Sequence, residues 1–335
     1  MKILVVAPSW IGDTILAQPL LALLKRKHPA ARIEVLAPDW SAPLLARMSE
    51  VDAVIVNPFG HGAFKFLARR RLGRRLRGNA ASADFQQAYV LPNSWKSALV
   101  PFFAAIPRRI GYHGESRYLL LNQRHRLDVA RHPQLVQRYA ALAGPLPATL
   151  PSPNLSSSVD QQRAARQALN LPLDVAPVIF CPGAEYGPAK RWPAKHFAGL
   201  AQLIATPQRP VWLVGSTKDA ATGAEIAAAS SGAARDLCSR STLEQAIDLI
   251  ASARCVVSND SGLMHVAAAL GRPLVALYGS SSPAYTPPLS PLATIVSKNL
   301  ECSPCFKREC PLGHFDCLNT ILPSQVAAII AALPA

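Results

Sequence analysis

Charge is scarce in this chain of 335 residues: Asp, Glu, Lys and Arg make up 16% of it, against 50% apolar residues. That balance excludes a disordered protein. Acidic groups are scarcer than basic ones, 20 against 35, for a net charge of +15. Long apolar runs are missing, and none reaches the roughly 18 residues of a membrane-crossing helix. The first strand-to-helix turn has no G-x-G-x-x-G, so a dinucleotide fingerprint is lacking. A signal peptide is not expected either: MKILVVAPSW has too short an apolar core and no small-residue cleavage site, and reads as a first β-strand. With no export signal, the expected compartment is the cytoplasm. The seven cysteines are an odd number, and Cys181, Cys238 and Cys255 sit alone among apolar residues, the pattern of buried, reduced thiols.

The length fits two domains, and it suffices for full cores without disulfides or a structural metal. Thirty prolines imply many short turns. The charge is divided unevenly. Residues 1–155 carry 21 basic and 8 acidic side chains, net +13, and residues 156–335 carry 14 and 12, net +2. One half is therefore suited to an anionic partner: nucleic acid, an anionic membrane surface or a phosphorylated substrate. Apolar, β-branched runs predict strands at 2–7, 32–37, 53–56, 87–91, 109–112, 178–180, 211–214, 254–257 and 274–278. Helical periodicity lies between them at 14–27, 94–105, 193–204, 217–229, 243–251 and 262–270, with a last apolar helix at 324–332. Such alternation reads as parallel, doubly wound sheets. The Pro- and Ser-rich stretch 144–158 is the expected linker. The expected architecture is thus α/β, two Rossmann-like doubly wound domains, 1–155 and 156–335, facing a central cleft. The last helix is a candidate to pack back toward the N-terminal domain.

Five segments carry residues suited to chemistry. Trp10-Ile11-Gly12-Asp13-Thr14 joins the first strand to the first helix, where open α/β sheets bind ligands. Gly12 permits close backbone approach, and Asp13 is either a site carboxylate or an ordinary N-cap. In 258–273, a strand runs into Asn259-Asp260-Ser261-Gly262 and then a helix, whose first N–H groups favour a phosphate. Asp260 is placed to accept from a ribose hydroxyl or to hold the turn, and His265 falls one turn into the helix. The Gly- and Pro-rich loop 182–193 brings Gly183 and Lys190, a cation able to neutralise a pyrophosphate leaving group or an ordinary solvated Lys. Residues 65–77 hold seven basic side chains, Arg70, Arg71, Arg74 and Arg75 among them, interleaved with Phe66, Leu67, Leu72 and Leu76 after Phe64. A solvated helix face and a basic amphipathic element on an anionic membrane both fit, whereas no RNA-module signature accompanies the run. Finally, Cys302, Cys305, Cys310 and Cys317, with His314 between them, read as a structural zinc site or as a metal-free thiol loop.

APSWIGDTILAQPL, LPNSWKSALVPFFAAIPRRIGY, PGAEYGPAKRWP, SNDSGLMHVAAALGRP and CSPCFKREC together resemble the ADP-heptose:lipopolysaccharide heptosyltransferases of glycosyltransferase family nine, the third and last resembling its type II branch. The resemblance spans the chain. It implies a GT-B fold, with the acceptor on the N-terminal domain and ADP-heptose on the C-terminal one. The implied reaction is an inverting transfer of L-glycero-D-manno-heptose to the first heptose of the lipopolysaccharide inner core (heptosyl-Kdo2-lipid A), with no metal and no cofactor. It puts the catalytic carboxylate on Asp13 and a donor-site cation on Lys190. The remaining donor contacts fall on Gly12, Gly183, Asp260, Ser261, Gly262 and His265, with Asp219 meeting the adenosine. The implied partners are ADP-heptose, the inner-core acceptor and, peripherally, the anionic cytoplasmic face of the inner membrane, with no nucleic acid. A family member with another acceptor (type I or III) and a non-catalytic basic nucleotide-binding protein remain the alternatives.

Overall fold

The computed structural model describes residues 1–60, 62–77 and 85–333. The chain divides into two compact units, Met1–Pro153 and Asn154–Ala335. Residues 334 and 335 of the expected second domain lie outside the described residues. The division falls within the expected linker, two residues before the expected boundary. The reason is Leu155, which is buried and donates its N–H to the carbonyl of Ala269. Ser157 then donates to the Asp248 carboxylate, so this end of the linker docks on the second unit.

Each unit is built on a six-stranded sheet. The first contains β1 (Lys2–Val6), β2 (Arg32–Ala37), β3 (Ala53–Val56), β4 (Gln87–Val90), β5 (Arg108–Tyr112) and β6 (Gln123–His125), in the order β3-β2-β1-β4-β5-β6. The second contains β7 (Val178–Cys181), β8 (Val211–Leu213), β9 (Ala234–Asp236), β10 (Cys255–Asn259), β11 (Leu274–Tyr278) and β12 (Ala293–Ser297), in the order β12-β11-β10-β7-β8-β9. Counted from its own first strand, the second sheet repeats the order of the first. All ten strand pairings are parallel. Helices cover both faces of such a sheet, so its central strands are apolar throughout, and every residue of β7, β10 and β11 is buried. The result is a GT-B-like α/β fold. The crossovers change direction between β1 and β4 and again between β7 and β10, which marks the carboxyl ends of those strands as binding positions.

The differences from the sequence-based expectation have local causes. The expected helix 14–27 is two helices, Ile11–Leu16 and Gln18–Lys27, because Pro19 at the start of the second has no N–H to continue the first. The expected helix 94–105 is a short 3-10 turn, Trp95–Ala98, followed by Leu99–Phe103. Strands β6, β9 and β12 were not anticipated. The last helix, Pro323–Ala332, places Val326 and Ile330 in the core of the second unit, against Leu200, Leu277 and Ile321.

The basic run forms the helix Phe66–Leu76. The apolar residues interleaved with its charges divide between core and surface. Leu72 is buried and Leu76 packs beside it, while Phe64, Phe66 and Leu67 face outward, Leu67 69% exposed. Arg69 also turns inward. It donates to the carbonyls of Phe64 (2.7 Å), Ala63 (2.9 Å) and Lys96 (3.3 Å), with its guanidinium 4.2 Å from the Phe59 ring centre. Gly73 sets the approach of this helix to Leu99–Phe103: a Cβ there would lie 2.6 Å from both Phe103 Cβ and the Val100 carbonyl oxygen. Gly73→Ala should therefore destabilise the protein by about 1–3 kcal/mol by overpacking, despite the better helix propensity of Ala. At Gly60, where nothing lies within 4 Å, the same change should alter stability by no more than about 0.5 kcal/mol. Urea unfolding of the two variants checks the contrast.

Candidate functional site

In the second unit, the loops after β7 and β10 meet at the switch point. Neighbouring strands bring them together, with Cys181 in register with Ser258. Lys190, from the first loop, forms an ion pair with Asp260, from the second, at 2.5 Å. Asp260 is 5% exposed and holds the lysine. The pairing also answers the solvated-lysine alternative. The Lys190 ammonium lies 5.2 Å from the centre of the Tyr186 ring, at a distance suited to a cation–π contact.

Asn259 joins the same two loops. Its Nδ2 donates to the Pro182 carbonyl at 2.7 Å, and its Oδ1 accepts the Trp192 N–H at 3.0 Å. Trp192 is buried and donates its indole N–H to the Ile321 carbonyl. Both ends of the loop 182–193 are thereby fixed, and Lys190 hangs between them. Neither Asn259 nor Trp192 was singled out as a site residue from the sequence. Asn259 was legible as a buried polar residue ending an apolar strand.

Ser261 occupies the N-cap of the helix Gly262–Ala269 with its hydroxyl 3.2 Å from that of Ser258, and Gly262 is the first helical residue. The first N–H groups of this helix carry the positive end of its dipole. His265, one turn in, is 5% exposed. Burial lowers its pKa to about 4; Asp260 opposes that shift and Lys190 adds to it, which also places the imidazole near the ion pair. It is neutral at pH 7.

Gly183 and Asp219 are in contact. A Cβ at Gly183 would lie 2.5 Å from the Asp219 carboxylate carbon, so only glycine lets the loop lie against that carboxylate. Asp219 Oδ2 accepts both the N–H (2.9 Å) and the hydroxyl (2.8 Å) of Ser216. Its Oδ1 has no donor among the described residues and lies on the Gly183 side of the carboxylate.

In the first unit, the loop after β1 leads into the helix Ile11–Leu16. The N-cap is Trp10, with no side-chain cap bond, and Asp13 is the third helical residue. The N-cap reading of Asp13 is thereby excluded. Gly12 and Asp13 are partly buried. The loop after β4 stands beside them in the sheet order, held by Arg117. That residue is 2% exposed and donates to the carbonyls of Pro92 (2.7 Å) and Tyr112 (2.5 Å). On the helix Phe66–Leu76, Arg71, Arg74 and Arg75 are exposed and Arg70 is partly so.

The four cysteines 302, 305, 310 and 317 are free and partly exposed. Among the described residues, no group of three or more His, Cys, Asp or Glu side chains is arranged to hold a metal ion. The Phe315 N–H, together with those of Leu312, Gly313 and His314, lowers the Cys310 thiol pKa. Cys181, Cys238 and Cys255 are buried free thiols, as expected, and burial pushes Cys255 up to about 11.

Known proteins resemble this chain over nearly its full length. The lipopolysaccharide heptosyltransferase 2 of Salmonella typhimurium is 46% identical, with 97% of this chain and 96% of that protein covered. The lipooligosaccharide heptosyltransferase 2 of Haemophilus ducreyi is 47% identical, over 88% of each chain. The solved structure of the Escherichia coli ADP-heptose LPS heptosyltransferase II superposes with a TM-score of 0.89 at 43% identity, covering 99% of this chain and 98% of that one. Residues 69–316 match the family described as glycosyltransferase family 9 (heptosyltransferase). With a family match across most of its length and relatives of this similarity over nearly all of it, the chain belongs to glycosyltransferase family 9.

Proposed function

We propose that the chain transfers L-glycero-D-manno-heptose from ADP-heptose to the first heptose of the lipopolysaccharide inner core, with inversion at the anomeric carbon. The observation that carries this reading is the Lys190–Asp260 pair at the β7/β10 switch point, in a chain whose nearly full-length relatives bear the name heptosyltransferase 2. The second unit binds the donor. The dipole of the Gly262–Ala269 helix and Lys190 stabilise the negative charge that grows on ADP as it leaves. Ser261 and Gly262 offer the diphosphate the backbone N–H groups that start this helix, Gly183 lets its loop lie against Asp219, and the Asp219 carboxylate takes a hydroxyl of the adenosine ribose. Neutral His265 adds no competing charge. The first unit binds the acceptor and supplies the base, Asp13. Its carboxylate takes the proton of the attacking hydroxyl as that oxygen bonds to the anomeric carbon, and the bond from that carbon to the ADP oxygen breaks.

Incubation with ADP-heptose and heptosyl-Kdo2-lipid A in the presence of EDTA, read by mass spectrometry, should show the gain of one heptose. The cationic groups in this mechanism are the protein's own, so turnover should not need added magnesium. No gain with this acceptor, alongside transfer to Kdo2-lipid A, would move the chain to the type I reaction. In the same assay, Asp13→Asn keeps the side-chain shape and removes the base. The expected loss in kcat is roughly 10²–10⁴-fold, with donor affinity retained; a loss of threefold or less would remove Asp13 from that role.

Membrane docking belongs to the same proposal. Among the described residues no helix is long and apolar enough to cross a membrane. The outward face of Phe66–Leu76 instead combines Arg71, Arg74 and Arg75 with exposed Leu67 and Phe66, next to Phe64 stacked on Trp95. Cations with a few apolar groups suit an anionic lipid surface and its lipopolysaccharide precursors. Replacing Arg70, Arg71, Arg74 and Arg75 with Gln should reduce co-sedimentation with phosphatidylglycerol vesicles at low salt, raise the KM for acceptor, and leave the KM for ADP-heptose unchanged. The difference in vesicle binding should shrink as salt screens it. Equal binding by both proteins at every salt concentration would leave the helix as ordinary surface.

A further inference from the structure

Four cations surround the loop 182–193, and three of them are committed. Lys190 is paired with Asp260, Lys218 with Glu185, and Arg191 donates to the Ala184 carbonyl. The fourth, Arg308, comes from the cysteine-bearing loop. Its guanidinium lies 5.4 Å from the centre of the Tyr186 ring, whose other cation contact is Lys190. Arg308 is exposed, and among the described residues its guanidinium has no carboxylate or carbonyl partner.

The position of Arg308 is built into the backbone. Its carbonyl accepts the Ala189 N–H at 3.0 Å, one residue before Lys190. That carbonyl also fills the space a Cβ would need at Gly187, 2.5 Å away, where φ is +157°. Two residues earlier, the Phe306 carbonyl accepts the Tyr186 hydroxyl at 2.7 Å, and the Phe306 N–H donates to Ser280. Ser280 in turn donates to the Ala189 carbonyl. The segment 306–308 is therefore hydrogen-bonded along the loop that carries Lys190, and both cations lie within 5.4 Å of the Tyr186 ring centre.

We propose that Arg308 is a second binding cation for the donor's diphosphate, acting together with Lys190. This rests on the donor reading of the second unit given above. The charge argument is direct. Asp260 already balances Lys190, so the pair alone brings little net positive charge to a nucleoside diphosphate. Arg308 supplies the missing cation, and its planar guanidinium can donate two parallel bonds to phosphate oxygens. Its donors have no protein acceptor among the described residues and are available for that contact. The cysteine-bearing loop then has a task in donor binding: it carries this arginine to the site.

Inhibition constants of ADP and of adenosine test the proposal on Arg308→Gln, Arg308→Lys and Lys190→Ala, each with its melting temperature checked. Arg308→Gln should weaken ADP about tenfold and leave adenosine within twofold, because adenosine keeps the base and ribose but has no phosphate. Arg308→Lys should recover part of the loss. Equal weakening of ADP and adenosine would mean that Arg308 only shapes the loop, and would overturn the proposal. So would unchanged ADP affinity in Arg308→Gln while Lys190→Ala weakens ADP. If neither variant changes ADP affinity, the donor-site reading itself fails.

Discussion

One side chain, Asn259, fixes the geometry on which the donor-site reading depends. It is wholly buried at the end of β10, and its amide contacts both ends of the loop 182–193. A buried amide without partners is costly, so the loop has one low-energy arrangement: the one that gives Asn259 its donor and its acceptor. Trp192 extends the constraint into the core through Ile321, beside the last helix. Lys190 is thus presented by a loop anchored at both ends, and its ion pair with Asp260 follows from that anchoring. Preorganisation of this kind suits charge stabilisation, because the dipoles need not reorient as charge develops.

The central strands and their order class were legible because they are apolar in both sheets. The strands that escaped notice, β6, β9 and β12, all lie at sheet edges. Gln123-Arg124-His125 and Ala234-Arg235-Asp236 are short and polar because an edge strand is half solvated, and charge there discourages pairing with another molecule. Asp260, Lys190 and Gly183 were found in their motifs and Asp219 through the family resemblance, and the structure brings them together in two pairs. The motif left Asp260 between a ribose contact and holding the turn, and it gave no sign of the ion pair with Lys190, seventy residues away in sequence. Arg308 and Asn259 stood inside the quoted motifs, but their contacts depend on loop conformations that no periodicity encodes.

The basic run shows why a count of charges is a poor guide to a surface. Arg69 sits among its arginines yet is a structural residue, its guanidinium given over to three carbonyls and the Phe59 ring. Burial lowers its pKa without removing its charge. The remaining arginines are outside because Gly73 seats the opposite face tightly on Leu99–Phe103. One glycine thus helps to set how the five arginines of this helix are distributed between interior and solvent.

Among the described residues every pairing between the strands β1 to β12 is parallel, and none is a hairpin. On the ribosome, this means that no strand finds its partner in the residues just made. Ile3 is made well before Gln87, its neighbour across the centre of the sheet. The apolar segment Lys2–Val6 must therefore remain unpaired on that side while β2, β3 and the basic helix are translated, and Val178–Cys181 waits in the same way for β10. Nascent chains of both halves pass through a stage with an open, hydrophobic strand edge. Yield in heterologous expression should thus depend more on translation rate and chaperone supply than on the stability of the finished fold.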